Sequence, residues 1–112
     1  MGVASAFWPS SNDGVQSGTI SVTATSQRIQ LNGNGVHVYV ANVGANEAFI
    51  CFGGSSVVAA AAGSATQQND GVGMSIPPGF VGTINRGQNT HVAAICASGL
   101  TSLIRFTTGD GQ

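Results

Sequence analysis

Lysine does not occur in this chain. The cations are Arg28, Arg86 and Arg105, and the anions are Asp13, Glu47, Asp70 and Asp110. Only 6% of the 112 residues are charged, and the formal net charge is -1; a typical soluble domain carries about 25% charged residues. Three scattered arginines cannot build a basic groove, so nucleic acid is excluded as a partner. A polybasic membrane patch is excluded for the same reason. A free monomer with so little charge is weakly protected against association. Charge is depleted at interface cores because desolvating an ion costs several kcal/mol. The composition therefore fits a protein covered by neighbours, in preference to one made soluble by its Ser, Thr, Asn and Gln side chains alone.

Long apolar runs are also missing. Residues 48–69 carry no charge, but Gly53, Gly54, Ser55, Ser56 and Gly63 interrupt them, so they do not read as a membrane span. The start lacks a basic segment followed by an apolar one. MGVASA fails the myristoylation pattern at Ala6, and no Asn-x-Ser/Thr acceptor occurs. The expectation is an intracellular protein that is not secreted. The two cysteines, Cys51 and Cys96, each sit in an apolar run, where a free thiol behaves as a small hydrophobe. They are read as two buried free thiols, with a bridge between facing strands as the alternative.

Chemistry is equally scarce. Asp13, Asp70 and Asp110 each precede glycine, a turn signature. No calcium loop, nucleophile elbow or phosphate-binding glycine loop is present. His37 and His91 are read as ordinary strand histidines, because a metal site needs more ligands than they supply. No catalytic residue, cofactor or metal site is assigned, no small-molecule substrate is expected, and the protein is read as a non-enzyme.

What is present is β signal. A chain of this length can bury roughly two-thirds of its unfolded surface, and 42% of residues are hydrophobic. Ile20, Val22 and Ala24 alternate with Thr and Ser, as in a half-buried strand. Ile29 and Leu31 follow. Asn32-Gly33-Asn34-Gly35 reads as a hairpin turn. Val36, Val38 and Val40 face one way, with His37 and Tyr39 opposite. Residues 48–52 and 91–97 are apolar on both faces and read as central strands. Val57 and Val58 read as the start of a short strand. Pro77-Pro78-Gly79, Arg86-Gly87-Gln88-Asn89 and Ser98-Gly99 are turns, around a strand at 80–85. A last strand spans 100–107, with Leu103 and Phe106 as core, and Gly109-Asp110-Gly111 closes it. About eight short strands predict an all-β fold, a single jelly-roll-like β-sandwich over residues 18–112. Residues 1–17 read as an extended N-terminal arm. Its anchors, Phe7, Trp8 and Pro9, are assigned as partner-binding, because aromatic anchors dominate interface energy. Folding back onto the arm's own domain is the competing reading.

Three segments, VANVGANEAFICFG, SIPPGFVGTINRGQNTHVAAICASG and LIRFTTGDGQ, resemble small virion proteins of tailed bacteriophages. The likeness covers residues 36–112 and departs at 59–73. It implies a capsid decoration or cement protein, a β-sandwich or jelly-roll on the outer shell that bridges neighbouring major capsid protein subunits. Its implied place is the capsid surface of the virion, after synthesis in the host cytoplasm. Self-association as a dimer or trimer is expected. Two alternatives stand beside it: a trimeric head- or tail-fibre attachment module, and a carbohydrate-binding β-sandwich using Tyr39 and Trp8.

Overall fold

The computed structural model describes residues 8–9, 17–32, 35–59 and 73–110, with the backbone alone at residues 8, 9 and 17. Among the described residues nine strands follow one another: β1 Trp8–Pro9, β2 Ser17–Val22, β3 Gln27–Gln30, β4 His37–Asn42, β5 Ala48–Gly53, β6 Met74–Ile76, β7 Val81–Asn85, β8 His91–Cys96 and β9 Ser102–Asp110. No helix occurs among the described residues.

The strands form two antiparallel sheets. In the front sheet β9 lies between β4 and the side shared by β1 and β2, and β7 pairs with the far side of β4. In the back sheet the order is β3-β8-β5-β6. Alternation fixes which side chains turn inward. Val38, Val40, Ile104 and Phe106 come from the front sheet, and Ile50, Val92, Ala94 and Cys96 from the back; all are buried in one core between the sheets. Each large member contributes roughly 1.5–3 kcal/mol by leaving water. This is a β-sandwich.

Several local expectations change. The segment after Leu31 is not a hairpin: β3 pairs with β8 in the back sheet, whereas β4 joins β7 and β9 in the front. Glycine permits a turn there but does not decide which sheet the next strand enters. Gly33 and Asn34 lie outside the described residues. The β2 ladder stops at Val22 rather than running through Ala24. There the Thr23 hydroxyl accepts a hydrogen bond from the Thr25 amide (3.2 Å), a local turn that outcompetes the ladder. Val36 lies outside β4, so the strand alternation does not set its side chain, and it is exposed; its amide donates to the Asp110 carboxylate (3.2 Å) and its carbonyl accepts from the Arg86 amide (2.7 Å). Leu103 is half-buried on the outer side of β9, since with period 2 it cannot share a face with Phe106; Ile104 takes the core place. Asp110 ends β9 instead of standing in a turn.

Residues 57–59 form no strand. Val57 donates to the Gly54 carbonyl (3.1 Å), which turns the chain back. A Cβ on Gly53 would meet Val57 at 2.9 Å, so Val57 lies on the outer side of the back sheet. The Ala59 amide then donates to the Ser26 hydroxyl beside β3 (3.0 Å). Phe49, Ala59 and Ala93 are buried but stand outside the inter-sheet core.

Candidate binding face and arm junction

The two outer faces differ. On the back sheet Phe49, Cys51 and Ala93 alternate with core positions, and residues 57–59 run over this side. Neither thiol is bridged. Cys96 is buried as expected, and burial pushes its thiol up from the ordinary range. Cys51 is only half-buried, because its parity in β5 points it away from the core.

The front sheet's outer face is assembled by register. Thr19 of β2 stands beside Arg105 of β9, then Ala41 of β4, then Val81 of β7. The next row is Ser17, Thr107, Tyr39 and Thr83. Val43 continues β4 by one residue, its amide donating to the Leu103 carbonyl (2.9 Å). The result is an apolar stripe of Tyr39, Ala41, Val43, Val81 and Leu103 in a field of Thr and Ser. Tyr39 is 37% exposed, Val43 52% and Val81 58%, so three of the seven exposed large hydrophobic residues among those described share this face. Among the described residues Arg105 is its one charge, and no acid faces outward here. A nearly neutral face with an apolar centre suits contact with another protein surface.

Two polar clusters hold the ends of this sheet. Asn42, 2% exposed, satisfies both ends of its amide. Its Nδ2 donates to the carbonyls of Asn46 and Ile76, both at 2.9 Å, while its Oδ1 accepts from the Gly44 amide (3.0 Å) and the Ser102 hydroxyl (2.7 Å). Both sheets are thereby tied at one end. In the sequence, Asn42 to Asn46 with Gly44 reads only as a turn; an amide closing an apolar strand ahead of Val-Gly was the available signal. At the other end Arg86 is buried. Its Nε donates to the Gly35 carbonyl (2.8 Å) and its Nη1 to the Leu31 carbonyl (3.2 Å), which pins the crossing from β3 to β4. Desolvation lowers its pKa, and the charge of Asp110 partly offsets this. A hollow of about 290 Å³ opens beside it, lined by Leu31, Val36, Arg86, Gln88 and Thr90.

The predicted anchors Phe7, Trp8 and Pro9 are only partly placed. Phe7 lies outside the described residues, as do Asp13 and Asp70. The backbone of Trp8 and Pro9 runs antiparallel to β9, opposite Asp110 and Gly109. Asp110 also accepts the Val36 amide and lies 3.9 Å from Nδ1 of His37, so β1 joins the front sheet beside the Arg86 cluster. His37 and His91 stand on different sheets and do not meet; the His91 Nδ1 is 2.8 Å from the Thr90 hydroxyl. Among the described residues no three His, Cys, Asp or Glu side chains converge, and no helix is long and apolar enough to cross a membrane. No family model matches the chain, and no match was found among curated proteins or solved structures.

Proposed function

We propose that the chain is a non-enzymatic structural protein of a virion, a capsid decoration or cement protein that binds the outer shell and bridges neighbouring major capsid protein subunits. The observation that carries this reading is the contrast between the two outer faces. Among the described residues, one lies beneath a segment of its own chain, and the other is a nearly uncharged platform of Tyr39, Ala41, Val43, Val81 and Leu103. Contacts of this kind are individually weak, but over a fixed lattice they gain from high effective concentration. In this reading Phe7, Trp8 and Pro9 add an anchor, and the backbone of Trp8 and Pro9 lies at the edge of the same sheet.

The finer fold reading, a jelly-roll, is proposed with it. Its support is the nesting of pairs: β2 with β9, β3 with β8, β4 with β7, and β5 with β6. A long hairpin rolled across two sheets pairs in this order. Double-sheet rolls of eight strands recur in viral capsid domains, although a fold alone carries no function. Cosedimentation with capsid shells tests the proposal. Removal of residues 1–17 and, separately, Val43→Lys should each weaken binding by about tenfold or more, the value of one buried aliphatic side chain. Unchanged binding by both variants would remove the face and the arm from the account.

A further inference from the structure

We infer that β7 is a self-pairing edge, and that two copies of this chain join β7 to β7 about a two-fold axis, merging their front sheets. Every sheet edge offers unpaired backbone groups, and proteins blunt such edges with charge, proline, shortness or interruption. Three edges here carry such a device. β3 bears Arg28. β6 has three residues. The β1–β2 side contains Pro9, which has no amide hydrogen, and it is broken between Pro9 and Ser17. β7 carries none of them. It has five consecutive residues, Val-Gly-Thr-Ile-Asn, without charge or proline, and among the described residues no strand lies on its far side.

The sequence of β7 also suits pairing with itself. In an antiparallel two-fold pair, the register that keeps all five residues paired is centred on Thr83. Thr83 then stands opposite Thr83 of the partner subunit, and Val81 stands opposite Asn85 of the partner subunit. Cross-strand threonine pairs are favourable, and like charges directly opposite are not; this register brings no charges together. The contact is isologous and closes at two copies. It sets the exposed Val81 side chains inside one continuous outer face that also carries Tyr39, Ala41 and Val43 of both copies. A strand from a different protein is the competing occupant of this edge.

The test reads mass in solution by sedimentation or light scattering and needs no capsid, so its failure leaves the shell-binding proposal standing. The wild-type chain should show a concentration-dependent shift from 11.1 kDa to twice that mass. Thr83→Lys and Thr83→Glu, each with an unchanged circular dichroism spectrum, should remain monomeric, because like charges then meet on the axis. An equimolar mixture of the two should recover the dimer. A wild-type chain that stays monomeric at every soluble concentration would overturn the inference, as would a dimer indifferent to Thr83→Lys or a mixture no heavier than its components.

Discussion

At the residue scale, stability rests on a few polar groups whose partners are fixed. Asn42→Ala would leave the Ile76 carbonyl and the Ser102 hydroxyl without their buried partner. A loss of roughly 2–4 kcal/mol is expected in urea unfolding, since each stranded buried group costs about 1–3 kcal/mol. Arg86→Met should cost a similar roughly 2–4 kcal/mol, because the Gly35 and Leu31 carbonyls lose a charged donor. Cys96 gives a pH signature. Its folded pKa is raised by burial, so above the ordinary thiol range the unfolded chain releases a proton that the folded chain keeps. Stability is then intact below that range and falls as pH rises through it. Unfolding measured across this window should show a decline that Cys96→Ala flattens.

At the scale of elements, the connections decide the architecture. The Ser26 hydroxyl holds the Ala59 amide and so fastens residues 57–59 to the back sheet. Ser26→Ala should speed hydrogen exchange at Ala59 and cost about 1 kcal/mol. At the opposite end, a Cβ on Gly35 would come within 2.0 Å of the Gly109 carbonyl oxygen, so Gly35→Ala should force β4 and β9 apart locally and lower the unfolding midpoint. Strands were more legible in the sequence than their connections. Ile20 and Val22 alternate because one face of β2 meets water, and that period is local information. The runs in β5 and β8 were apolar on both faces for a reason the sequence did not name: Phe49 and Ala93 are buried on the outer side, away from the core between the sheets. Asn32-Gly33-Asn34-Gly35 misled because backbone permissiveness is local, whereas the choice of sheet depends on where β8 and β9 lie, more than fifty residues further along the chain. Arg86 was read from its turn neighbours; its burial depends on carbonyls at Leu31 and Gly35, equally remote in sequence.

At the scale of the whole molecule, low charge and an uneven pair of faces belong together. On the proposed function, contact through Tyr39, Val43 and Val81 gains little from charge on that outer face, where Arg105 is the one charged side chain among the described residues. Association through such a face depends on apolar burial, so binding to a shell should change little between low and high salt, unlike an electrostatically steered contact. The candidate site was half legible. The shortage of charge raised the expectation of protein neighbours, and only the registers of β4, β7 and β9 brought Tyr39, Val81 and Leu103 onto one surface. The most direct test of the central claim is the number of copies of this chain per purified virion, counted by quantitative mass spectrometry against the major capsid protein. A decoration protein should be present in numbers of the same order as the major capsid protein. A handful of copies per particle, or none, would contradict the account.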